Sequence, residues 1–154
     1  AVNTAATERP DLICELAERF GSQCVVLSIQ AKRNDDGSWE ALRDLGREHT
    51  GLNAVDWARH GARLGAGEIL ITSIDQEGTR RGFDIDLVRN ISDAVNIPVI
   101  ASGGMGKFSH LQSAVAEGGA DAVAVAYMLH REEASVKTLK EKALAAGMDI
   151  RPVI

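Results

Sequence analysis

Apolar residues fall along this chain in short, nearly unbroken runs, separated by stretches in which they recur every three or four positions. Four runs have strand character: Cys24 to Ile29, Glu68 to Ile74, Pro98 to Ser102 and Ala122 to Met128. Such runs suit parallel strands buried on both faces, where strict alternation with polar residues is not needed. Helical spacing fills the intervals. Asp11 to Phe20 carries Leu12, Ile13, Leu16 and Phe20, and Gly51 to Leu64 carries Leu52, Val55, Trp57 and Leu64 among polar residues. Ile85 to Val95, Phe108 to Glu117 and Ser135 to Ala146 repeat the style. The pattern predicts a helix over residues 10–20 followed by four βα units.

Turn residues mark the same boundaries. Pro10 and Asp11 fit the first turn of a helix, where a missing N–H and a negative charge are tolerated or favoured. Gly21, Gly65 with Gly67, and Gly118 with Gly119 follow helical stretches just before strands, where a left-handed cap is expected. Strand, loop, helix and glycine in repetition predict right-handed crossovers and a parallel α/β sheet. No linker interrupts residues 1–154, so a single domain is expected. The turn-like Asn34 to Ser38 and the weak apolar segment Trp39 to Leu45 are too long for a minimal βα connection, typically about 2 to 6 residues. Two readings fit them, a functional loop at a strand's C-terminal end or a decorating hairpin.

With 45% hydrophobic residues among 154, the chain can bury one good core. A net charge of -5 and the absence of a Lys/Arg block argue against nucleic acid or an anionic membrane surface as the main partner. No apolar run approaches the ~20 residues of a bilayer span. No basic region followed by an apolar stretch opens the sequence, and a soluble cytoplasmic protein acting on a small molecule is expected. Cys14 and Cys24 lack metal-ligand spacing and read as packed thiols. His49, His60, His110 and His130 are scattered and read as surface or capping residues, with His130 a minor candidate for ligand contact. No metal or cofactor is expected, beyond a bound phosphate or sulfate. The basic residues of Arg131 to Lys142 alternate with glutamates, as on a solvated helix face.

Three constellations could carry chemistry. Ala101 to Lys107 places Ser102, Gly103, Gly104 and Gly106 directly after a strand and before a helix, where backbone N–H groups can approach an anion. A tight turn without a ligand gives the same composition. Asp75 and Glu77 lie two apart at the end of the Glu68 to Ile74 run, so an extended backbone would point both carboxylates the same way. They could serve acid/base work or hydroxyl binding, or simply cap the next helix. Gln30 ends the first run where a barrel exposes residues to its catalytic face. A glutamine can orient a substrate but cannot act as general acid or base.

The residues Gly65 to Asp75 with Gly78 and Thr79, Pro98 to Lys107, Gly21 to Val26, and Val2 to Ala6 together resemble, in order, the C-terminal half of the cyclase subunit of imidazole glycerol phosphate synthase, from histidine biosynthesis. The resemblance runs from Ala1 to about Arg151 and implies a parallel (β/α)4 half of a TIM-type (β/α)8 barrel, preceded by an extra N-terminal helix. A whole barrel takes roughly 250 residues. The family closes an imidazole ring with ammonia from a glutaminase partner, acting on a phosphorylated ribulosyl intermediate. By resemblance, Ser102, Gly103 and Gly104, with Ala126 and Tyr127, would hold one phosphate, and Asn3 and Thr4 would belong to a second phosphate site. Thr72, Asp75 and Glu77 would line the substrate, Asp75 being a catalytic candidate, and Glu68 matches a charged ring at the opposite mouth where ammonia enters.

Three departures qualify the match. Gln30 stands where histidine-pathway cyclases carry a catalytic aspartate, Tyr127 replaces a small hydroxyl residue, and Glu77 replaces an aspartate. The family's first catalytic aspartate lies on a first strand with no counterpart here. Gln30 with Tyr127 also resembles cyclase-like paralogues that amidinate sugars in surface-polysaccharide pathways. The resemblance therefore implies phosphate binding without turnover by this chain alone. Four parallel strands cannot close a barrel, so a homodimer of half-barrels or pairing with a separate N-terminal half is expected.

Overall fold

The computed structural model describes residues 1–151. A short helix α1 (Thr4–Glu8) and a longer α2 (Asp11–Phe20) lead through a single helical turn at Ser22–Cys24 into β1 (Val26–Arg33). A hairpin of β2 (Trp39–Arg43) and β3 (Glu48–Asn53) follows, then α3 (Ala54–Arg63), β4 (Glu68–Ser73), α4 (Ile85–Ser92), β5 (Val99–Ser102), α5 (Phe108–Ala116), β6 (Ala122–Ala124), α6 (Tyr127–His130) and α7 (Val136–Ala145). The six strands form one sheet in the order β3-β2-β1-β4-β5-β6. The run β1, β4, β5, β6 is parallel, and the hairpin joins it antiparallel.

The four expected strands are present and parallel, with three corrections at their ends, one being that the first runs on to Arg33 and so takes Gln30 into the strand. The last is shorter: β6 stops at Ala124, and Tyr127 and Met128 open α6 instead. The first begins two residues late, because the helical turn takes up Ser22 to Cys24. Cys24 is consequently exposed rather than packed, while Cys14 on α2 is half-buried. Burial on both sheet faces is also corrected. Leu27, Ile29, Ala31, Ile69, Ile71, Val99 and Ala101 are buried. Their alternates Val26, Ser28, Gln30, Glu68, Leu70, Thr72, Ile100 and Ser102 are only half-buried. Among the described residues the core cluster is on one side, where Ile13, Trp57, Leu87, Ile91, Leu111 and Ala114 of the helices meet the strands.

Asn34 to Ser38 is the turn into the hairpin, closed by Asn34 N–H to the Ser38 carbonyl at 2.8 Å. The segment after Asn34 folds as a hairpin of β2 and β3. It is not loosely attached: Trp39, Ala41 and Leu42 are buried, and the Trp39 indole Nε1–H donates to Asp84 Oδ2 at 2.9 Å. Asp84 also caps α4 by accepting from Leu87 N–H at 3.1 Å, so one carboxylate ties the hairpin to that helix. The predicted helix from Gly51 begins only at Ala54. Asn53 caps it, its side chain accepting from Val55 and Asp56 N–H, and the residues before it belong to β3. Ahead of β1, Val2 forms a parallel bridge to Leu27, and a short helix takes up Thr4 to Glu8. No helix among the described residues is long and apolar enough to cross a membrane.

Candidate functional site

Register decides which side chains share the open face. Gln30 is level with Thr72, Thr72 with Ser102, and Ser102 with Ala124, forming one row across the C-terminal strand ends. At about 4.8 Å between strands, Gln30 and Ser102 are separated by roughly 10 Å. Glu68, four positions before Thr72 on the same face, lies at the opposite end of β4, roughly 13 Å away along the strand.

At the β5 end of this row is a pocket of about 140 Å³, lined by Glu77, Arg80, Ser102, Gly103, Gly104, Met105, Ala126 and Tyr127 among others. Gly103 and Gly104 adopt φ of 94° and 97°, a region other residues avoid. A Cβ at Gly104 would stand 2.1 Å from the Gly82 carbonyl oxygen, and one at Gly103 would stand 2.9 Å from that of Ser73. Only glycine lets the two loops meet this closely, and the Gly82 N–H to Gly104 carbonyl bond at 2.8 Å holds them together. His110 on α5 buttresses the loop: its Nδ1 faces the Gly106 N–H at 3.2 Å. Burial, with the Lys107 charge adding to it, lowers the His110 pKa, which keeps Nδ1 free to accept.

The extended geometry expected for Asp75 and Glu77 is not adopted. Gln76 and Glu77 N–H both turn back to the Ser73 carbonyl, at 3.3 and 3.0 Å, and the two carboxylates part. Asp75 Oδ2 accepts from the Arg33 backbone N–H at 2.8 Å, bridging to β1. Glu77 turns the other way, with Oε2 3.1 Å from the position a Gly103 Cβ would occupy.

At the β1 end, polar groups are committed to one another. Asn3 Nδ2 donates to Gln30 Oε1 at 3.1 Å and to the Leu42 carbonyl of the hairpin at 3.3 Å. Thr4 Oγ1 accepts from Asp44 N–H at 3.0 Å. The structure thus groups Asn3 and Thr4 with Gln30 and the hairpin; neither lines the Ser102 pocket. Among the described residues no group of three or more His, Cys, Asp or Glu side chains could hold a metal.

Arg80 escaped the sequence reading. Its Nη1 donates to the Tyr127 hydroxyl at 3.1 Å, and its guanidinium carbon stands 4.9 Å from the ring centroid. The visible signal was slight, an Arg80-Arg81 pair two residues after Gly78.

A family model described as "Histidine biosynthesis protein" matches residues 1–135. This chain belongs to that family. Over 107 residues it is also 68% identical to the "Imidazole glycerol phosphate synthase subunit HisF" of Legionella pneumophila, a stretch covering 70% of this chain and 50% of that relative. The matched stretch therefore spans about half the length of the curated relative. Both matches support the resemblance to the cyclase subunit of imidazole glycerol phosphate synthase.

Proposed function

We propose that this chain is the (β/α)4 half of an imidazole glycerol phosphate synthase cyclase-type barrel and binds the phosphate of a phosphorylated small molecule at Ser102, Gly103 and Gly104, with Ala126 and Tyr127 completing the rim. The observation that carries this reading is the open pocket at the C-terminal strand ends, with two positive-φ glycines beside a cation, in a chain of this family. Thr72 and Glu77 line the substrate, Asp75 is the remaining acid/base candidate, and Glu68 belongs to the ammonia entrance at the far mouth. The second phosphate site, at Asn3 and Thr4, forms only when an N-terminal half completes the barrel, because here Asn3 is bonded to Gln30 and the Leu42 carbonyl and Thr4 to Asp44. The whole enzyme works in the cytoplasm with a glutaminase subunit that supplies ammonia.

These residues alone do not turn over substrate. Gln30 has no proton to exchange at neutral pH, and its amide oxygen is already engaged by Asn3. The half-buried face of Val26, Leu70 and Ile100, with Ala122 and Ala124 exposed on the edge strand β6, favours closure by a second half-barrel, either another copy or a complementing N-terminal half. A second reading, a partner in sugar amidination, is favoured by Gln30 together with Tyr127, since a different substrate would not need the aspartate. Light scattering and a ring-closure assay with ammonium salts test these points together. A dimer without turnover, and turnover appearing only when a complementing half and Gln30→Asp are combined, is expected. A monomer with no exposed apolar surface would refute the closure. No gain from the aspartate would favour the sugar branch.

A further inference from the structure

Arg80 is held in a way that suits a ligand better than it suits the fold. Like several other arginines among the described residues, Arg80 has no carboxylate within ion-pair reach, but among the basic residues it alone lines the Ser102 pocket. Its charge is permanent and it has five N–H donors, of which the side-chain bonds employ one, on a neutral phenol.

The guanidinium is nevertheless fixed in place. Tyr127 lies beneath it, and Arg131, which does not line the pocket, approaches the same ring at 5.9 Å. The backbone of Arg80 sits at a φ of 60°, unfavourable for a residue with a side chain. Thr79 secures that turn, its Oγ1 donating to the Gln76 carbonyl at 2.8 Å and accepting from Arg81 N–H at 3.2 Å. The Arg80 carbonyl oxygen would lie 2.3 Å from a Cβ at Gly106, so this loop is pressed against the loop carrying Gly103 and Gly104.

The pocket also contains an opposing charge. Glu77 presses its carboxylate against Gly103, and backbone N–H groups offer only partial positive charge against it. An anion entering there needs a full cation to offset the repulsion, and Arg80 is the pocket-lining residue that has one.

We propose that Arg80, oriented by Tyr127, is the charge that determines what the pocket accepts, a doubly charged terminal phosphoryl group in preference to a singly charged phosphodiester. This rests on the phosphate reading above and adds the residue and the charge state it selects. A planar guanidinium binds two oxygens of a terminal phosphoryl group at once, and a diester offers less charge to the same fork. Tyr127 gives the cation a fixed direction that the family's small hydroxyl residue could not.

The test titrates methyl phosphate, dimethyl phosphate and inorganic phosphate at about pH 8 into the full 154-residue chain, followed by calorimetry and amide chemical shifts. Wild type is expected to bind methyl phosphate at least about tenfold more tightly than dimethyl phosphate, and Arg80→Gln to lose about tenfold on methyl phosphate and most of that preference. Arg80→Lys should keep part of the affinity, and Tyr127→Phe should lose about threefold by freeing the guanidinium. Because Arg80 is exposed, an unchanged amide spectrum elsewhere is expected for each variant. If Arg80→Gln binds methyl phosphate like wild type, the assignment of Arg80 is overturned and the phosphate reading survives. If wild type shows no saturable binding of any of the three, both fall.

Discussion

The two ends of the open sheet face treat their polar groups in opposite ways. At the β1 end, Asn3, Gln30, Thr4 and the hairpin backbone satisfy one another. At the β5 end, the backbone of Gly103 and Gly104 lines a pocket, Arg80 has no carboxylate partner, and Glu77 crowds the cradle. An end that is internally satisfied is suited to holding structure, whereas one with unspent donors is suited to holding a ligand. On the proposed reading, the phosphate cradle and the Gln30 position lie on different strands, so either could be lost without the other.

The comparison can be broken most severely at the hairpin. Trp39→Ala removes a buried indole and its bond to Asp84, and should cost about 3 to 5 kcal/mol in urea unfolding. Phosphate binding at the other end should persist wherever the protein remains folded. Gly104→Ala does the reverse. A Cβ at positive φ and against the Gly82 carbonyl should cost about 2 to 3 kcal/mol and abolish phosphate binding, read by denaturation and calorimetry. Asn3→Ala leaves the Gln30 and Leu42 oxygens short of a donor at a half-buried position. About 1 kcal/mol of destabilisation is expected, with amide shifts at Gly103 and Gly104 unchanged.

The smallest effect is a pH dependence at the β5 loop. The folded-state pKa of His110 is lowered, so the unfolded chain binds its proton first as pH falls. Its contribution is fully present above the unfolded value of about 6.5 and is lost as pH drops through the lower folded value. Unfolding in urea at about pH 7.5 and pH 5.5 should show this slope, and His110→Gln, which keeps an acceptor that cannot titrate, should flatten it.

The sequence made α2 and the parallel strands legible because compact apolar runs and helical spacing are local signals. It could not show which face of the sheet is open, since Val26, Leu70 and Ile100 are as apolar as their buried neighbours. Trp39 and Ala41 gave the hairpin a weak pattern, and its attachment depends on Asp84, 45 positions later in the chain. The parting of Asp75 and Glu77 arises from a backbone turn onto the Ser73 carbonyl, which side-chain spacing does not encode. Arg80 gains its role from Tyr127, 47 positions away, so no motif around either residue announces the pair. The glycines at positions 103 and 104 were legible because a strand, a glycine pair and a helix leave few other conformations.

The most direct measurement is an amide chemical-shift map of the protein titrated with inorganic phosphate at about pH 8. Saturable shifts centred on Ser102, Gly103, Gly104 and Arg80, with Asn3, Thr4 and Gln30 unmoved in the absence of an N-terminal half, are the expected result. Shifts centred on Asn3 and Gln30, or none at millimolar phosphate, would contradict the division of labour between the two ends of the sheet.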